Sequence, residues 1–185
     1  MATTSTAVDI QAGTWDIDAS HTTVEFVARH LMVTKVRGRF LDVSGEITIA
    51  ADPLESSVRA QIGTASITTG DDQRDAHLRS PDFFDVEQYP TITFVSTGVR
   101  ATRGDSFVLV GDLTVRDVTK SVELELEYLG SAQDPWGATK AAFSASTEVN
   151  RKDWGLEWNV ALETGGFLVG DKVKLNVEVQ AALRS

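Results

Sequence analysis

Three histidines, His21, His30 and His77, are the side chains of this sequence best suited to moving protons or holding a metal near neutral pH. Their spacing suits neither task. A strand presents two ligands at i and i+2 and a helix at i and i+4, and no such histidine pair exists. Cysteine is absent, which removes disulfides, thiolate nucleophiles and cysteine zinc sites. Ser144 and Ser146 lie in an alternating stretch with no histidine near them in sequence, and no G-x-S-x-G turn is present. The run Gly166 to Lys172 has glycines and a lysine but not the spacing of a phosphate loop. The expectation is a chain without catalytic residues, metal or cofactor.

Two polar clusters stand out from their surroundings. Arg74, Asp75, His77, Arg79, Asp82 and Asp85 crowd one short segment that also carries Phe83 and Phe84. Read functionally, it is a gate or a head-group contact. Read structurally, it is an ion-pair and capping network that fixes the segment, and this reading is preferred. Asn150 to Gly155 places Arg151 near Trp154 and reads as the anchor of one end of the fold. Glu123, Glu125 and Glu127 form a solvated strand face.

Period-2 alternation is the strongest signal for the elements that position these residues. Val122, Leu124, Leu126 and Tyr128 alternate with glutamates, and Val173, Leu175, Val177 and Val179 with Lys174, Asn176 and Glu178. Leu41 to Ile49, Val24 to Ala28, Val58 to Ile62, Phe107 to Val115 and Ala141 to Ala145 behave alike, and Ile92 to Val99 adds a strand with less clear faces. About eight amphipathic strands require antiparallel pairing around one interior, and eight can close into a barrel that holds side chains or one small ligand. Asp71 to Arg79 reads as a short helix with an aspartate cap, stopped by Ser80-Pro81. It is either a flap over one barrel mouth or a surface connection packed by its own phenylalanines. The fold class is therefore all-β: an eight-stranded antiparallel closed barrel with a short helical flap.

Alternation assigns the inward face. Phe26, Ala28 and His30 share one phase, as do Ala60 with Ile62, Leu124 with Leu126, Phe143 with Ala145 and Leu175 with Val177; Phe94 joins them as a lumen candidate. Small inward residues (Ala28, Gly45, Ala60, Gly111, Ala141, Ala145) can leave volume that large ones would fill, but periodicity does not separate a hollow lumen from a packed one.

Composition narrows the partners. Of the 185 residues, 42% are hydrophobic and 24% charged, ordinary values for one globular domain. A formal net charge of −10 opposes binding to nucleic acid and to anionic membrane surfaces. No apolar run approaches the roughly 20 residues of a spanning helix, so no stable membrane insertion is expected. Met1 to Gln11 lack a basic start and an apolar run, so they do not read as a signal peptide. The expectation is a cytoplasmic protein with a flexible tail over 1–12 and one domain over 13–185.

Several of these stretches resemble the YceI-like, polyisoprenoid-binding family. Trp15 to Thr22 looks like its opening strand and Val24 to Leu31 like the next. Ala65 to Gly70, followed by Arg74-Asp75-Ala76-His77-Leu78-Arg79-Ser80-Pro81-Asp82-Phe83-Phe84-Asp85, is the most specific match. Tyr89 to Phe94, Gly111 to Val115 and Arg151 to Gly155 continue it in order, so the resemblance spans Gly13 to Ala182. It implies a lipocalin-like barrel whose lumen takes a long isoprenoid or related lipid, such as a quinone, and a homodimer. It implies no established catalytic residues. Many family members are exported, and this chain departs from them in lacking a recognisable signal.

Non-enzymatic binding, storage or transport of a long apolar lipid is therefore the leading function. The alternative is an isomerase- or cyclase-type enzyme acting on a lipid in the same lumen, with His30 as the one obvious titratable candidate. A partner-binding sheet face is a third reading, opposed by the acidic alternation on most strands.

Overall fold

The computed structural model describes residues 8–185. Among them the alternating segments form β1 (Gly13–Ile17), β2 (Thr23–His30), β3 (Thr34–Phe40), β4 (Val43–Ile49), β5 (Ser57–Gly63), β6 (Ile67–Thr68), β7 (Thr91–Ala101), β8 (Ser106–Val115), β9 (Val118–Gln133), β10 (Thr139–Asn150) and β11 (Val169–Leu183). One helix, α1 (Asp72–Arg79), lies between β6 and β7. Every pairing is antiparallel, and the order β1-β4-β5-β7-β8-β9-β10-β11 returns on itself where Trp15 pairs with Leu183. That is an eight-stranded closed barrel.

Three staves of this barrel are broken strands. β1 and β2 both pair with β11, and β3 and β4 pair with β2 and β1 respectively. β5 and β6 run on beside β4 and β3. Each break is held by local polar groups rather than by the ladder. At the first, Asp18 accepts from the Ser20 backbone N–H (3.0 Å) and caps the 3-10 turn Ala19–His21. At the second, Leu41 and Asp42 donate their N–H groups to the Ser66 hydroxyl, each at 3.0 Å, and Ser66 belongs to the third break.

Apolar side chains gather in two clusters at different heights. Trp15, Ile47, Ile49, Tyr128, Ala141 and Ala181 form one. Phe40, Ile67, Phe83, Ile92, Val115, Val122, Trp154 and Leu156 form the other, beneath the helical segment. The stretch 8–12, expected as part of a flexible tail, is instead held on the barrel. Val8 and Ile10 pack against the first cluster, the Tyr128 hydroxyl donates to Asp9 O at 3.0 Å, and Trp15 Nε1 donates to Gln11 O at 3.1 Å. Residues 1–7 of that expected tail lie outside the described residues. No helix among the described residues is long and apolar enough to cross a membrane.

Candidate ligand cavity

Between the two clusters the barrel is hollow. A cavity of about 210 Å³ runs along the inward faces of the strands. One water needs only ~10–15 Å³ on the same measure, and packed interiors hold few voids larger than that. Ala60 and Ile62 on β5, Phe94 on β7, Leu124 and Leu126 on β9, Phe143 and Ala145 on β10, and Leu175 and Val177 on β11 all line it. Among the described residues, the lining carries no aspartate, glutamate, histidine, lysine or arginine. Its side-chain oxygens belong to Thr22, Ser56, Ser57, Thr147 and Tyr128, and the Tyr128 hydroxyl is committed to Asp9 O. Such a wall suits hydrocarbon.

Three lumen candidates stand elsewhere. Phe26 lies beside Phe40, with ring centroids 5.7 Å apart, and over Gly38, where a Cβ would meet its ring at 2.1 Å. It therefore belongs to the plug below the cavity. Ala28 follows it along β2 and is not on the cavity wall. His30 ends β2, half-buried, paired with Val169 and Thr34, and is also off the wall. The two families of small residue also separate. Ala60 and Ala145 border open volume, whereas the space beside Gly111 is filled by the Phe94 ring and that beside Gly45 by the Arg59 carbonyl, 2.1 Å from where a Cβ would sit. Ala141 is fully packed.

The helical segment covers the plugged end and none of its charged or aromatic candidates touches the cavity. Asp71 caps α1 by accepting from Arg74 N–H at 3.0 Å. Asp75, buried, accepts from Thr69 N–H (2.8 Å) and from its hydroxyl (2.6 Å). Arg74 donates to the Thr69 hydroxyl and carbonyl, and Arg79 to the carbonyls of Ala65 and Ile67. His77 pairs with Asp82 at 2.9 Å and packs edge-on to Phe83 and Trp158. Phe83 is buried, and Phe84 meets Phe40 edge-on. These groups satisfy one another and pin the segment to β6.

Arg151 is the second anchor. Only 5% exposed, it donates to the carbonyls of Gly170, Leu156, Trp158 and Val169 at 2.6 to 3.4 Å. Burial pushes its guanidinium below the ordinary value, partly offset by Asp171 at 3.8 Å. One side chain thus closes the long β10–β11 connection. Sequence reasoning missed the cavity residues Val8, Ile10, Pro53 and Ser56, which lie outside alternating strands; the only signal was the apolar spacing of Val8 and Ile10.

An up-and-down β-barrel with an apolar interior cavity and a plugged end defines a class of proteins that enclose small apolar molecules. Within that class the chain belongs to the YceI-like family, whose domain matches residues 15–181. A UPF0312 protein of Azotobacter vinelandii is 38% identical over 143 residues, covering 77% of this chain and 74% of the relative. The crystal structure of Burkholderia cenocepacia BcnA superposes with a TM-score of 0.74 at 22% identity, covering 89% of this chain and 98% of that one. A polyisoprenoid-binding domain from Saccharophagus degradans, implicated in plant cell wall breakdown, superposes with a TM-score of 0.69 at 16% identity, covering 94% of this chain and all of that one.

Proposed function

We propose that this protein binds and carries a long-chain apolar lipid, a polyisoprenoid, isoprenoid quinone or similar molecule, inside the barrel without modifying it. The observation that carries this reading is the cavity wall, which is apolar and, among the described residues, free of ionisable side chains other than a hydrogen-bonded tyrosine. Family membership and the name of the Saccharophagus domain support the ligand class. Burying about 400 Å² of hydrocarbon at ~25 cal/mol/Å² yields on the order of 10 kcal/mol before association costs. A loss of about 2 kcal/mol leaves micromolar binding, and a loss of about 6 kcal/mol leaves millimolar binding. An isomerase or cyclase would need a proton donor or acceptor on this wall, and Tyr128 is already engaged with Asp9.

Mass spectrometry of an organic extract of gently purified protein is the direct test, followed by titration with prenyl and fatty chains. Recovery or uptake of such a chain is expected. Absence of both overturns the reading. The homodimer that the family resemblance implies belongs to the same proposal, and light scattering on the purified protein decides it.

A further inference from the structure

Strands β9 and β10 separate before either ends. Their pairing runs from Thr139↔Gln133 to Ser146↔Glu125, yet β9 begins at Val118 and β10 continues to Asn150. One further rung in the same register would set Leu124 against Thr147. Instead the strands splay, and the 3-10 turn Arg151–Trp154 folds back so that Trp154 joins the apolar cluster containing Val118 and Val122. Beside the splay the outer surface carries a depression of about 440 Å³ bordered by Glu123, Glu125, Ser146, Glu148 and Lys174. Leu124 and Thr147 line both this depression and the interior cavity. At that height the wall is two half-buried side chains, without the backbone hydrogen bonds that seal the rungs from Glu125 upward.

We infer that the β9–β10 splay is a lateral portal through which the lipid enters and leaves, and that its rim favours a head group that donates a hydrogen bond and carries no negative charge. This rests on the carrier reading above and adds the route and the head-group class. Side chains can move in nanoseconds, whereas opening a paired rung breaks backbone bonds, so the unpaired stretch is the low-cost passage. The rim sets three carboxylates and the Ser146 hydroxyl beside a single ammonium, Lys174. Two neighbouring cations are engaged with rim carboxylates, Arg100 with Glu123 at 3.1 Å and Lys172 with Glu148 at 3.8 Å. A lipid hydroxyl or amine meets acceptors there, while a phosphate meets like charge.

The absence of cysteine makes the route testable by placing one thiol. Thr147→Cys is labelled after folding with a bulky maleimide, and uptake and release of dodecanol are followed by stopped-flow. The introduced thiol should react in the native protein, and the label should slow both rates at least tenfold. The same label on Glu55→Cys, in the 3-10 turn Pro53–Glu55 that borders the cavity away from β9 and β10, should leave them within twofold. An unreactive thiol, unchanged rates at Thr147, or slowing by the Glu55 label instead overturns the portal while leaving the carrier reading intact. Failure of the parent protein to bind dodecanol at all overturns the carrier reading. For the rim, dodecanol and dodecylamine should bind at least tenfold more tightly than dodecyl phosphate, and the double change Glu125→Lys, Glu148→Lys should narrow that gap. Equal affinity for all three overturns the head-group assignment.

Discussion

The phenyl ring of Phe94 occupies the space that a side chain at Gly111 would need. A Cβ built on Gly111 would lie 2.4 Å from Phe94 Cζ and 2.8 Å from the Val95 carbonyl oxygen. Aromatic ring and glycine face each other across β7 and β8, and the ring stays against the wall because the glycine lets it. Gly111→Ala should therefore drive the ring toward the lumen and cost roughly 1–3 kcal/mol, as overpacking does. Chemical denaturation measures the stability, and a lipid titration should show weaker uptake in the same variant.

Ala60 and Ala145 border the empty volume directly. Ala60→Trp or Ala145→Trp should fill it, lowering lipid affinity more than tenfold while moving Tm by only a few degrees. His30→Leu, off the cavity wall, should leave affinity within twofold. A packed interior would instead respond to either tryptophan with a stability loss of about 1–3 kcal/mol and no binding phenotype.

Arg151 donates to four carbonyls, of which that of Leu156 is the buried contact and that of Val169 also accepts from Asn159. Arg151→Met should destabilise by about 1–3 kcal/mol, the cost of leaving a buried acceptor unpaired. Arg151→Lys should recover little, since one ammonium cannot span the fork of carbonyls. A denaturation midpoint unchanged in either variant would refute the anchor role.

Asp18 caps the break between β1 and β2, and hydrogen bonds from Ser20 and then His21 hold its carboxyl well below the ordinary carboxylate range. A depressed folded-state pKa contributes stability above the unfolded value, near ~4, and the contribution disappears as pH falls below it. The parent protein should lose stability on acidification below about pH 4, and Asp18→Asn should flatten that slope. Thermal melts between pH 2 and 7 give both curves.

Alternation revealed which face each strand turns inward, but not the height at which a residue sits along the barrel. Leu124, Ala145 and Val177 line the cavity, whereas Phe26, Ala28 and His30, read from an equally regular run, do not, and Phe26 packs instead on Phe40. The unclear faces of Ile92 to Val99 have a specific cause. A bulge between Ser96 and Gly98 shifts the phase, so Phe94 and Val99 both reach the cavity despite their odd separation. The helix boundary was legible because Asp71 and Ser80 carry capping chemistry in their own side chains. The choice between hollow and filled space was not, because the Phe94 ring reaches Gly111 diagonally from the paired strand β7, a contact that alternation along either strand does not encode. Gly111 and Ala145 look alike in the chain; their neighbours make one solid and the other open.

Closure between β1 and β11 joins the two ends of the chain, and Arg184 reaches back 168 residues to Asp16. A ribosome releasing this polypeptide from its N-terminus therefore presents the first stave long before its partner exists. Until the last residues emerge, the apolar faces of seven staves have no completed enclosure, and loop-closure entropy delays the final step further. The nascent chain is thus exposed to aggregation for most of its synthesis.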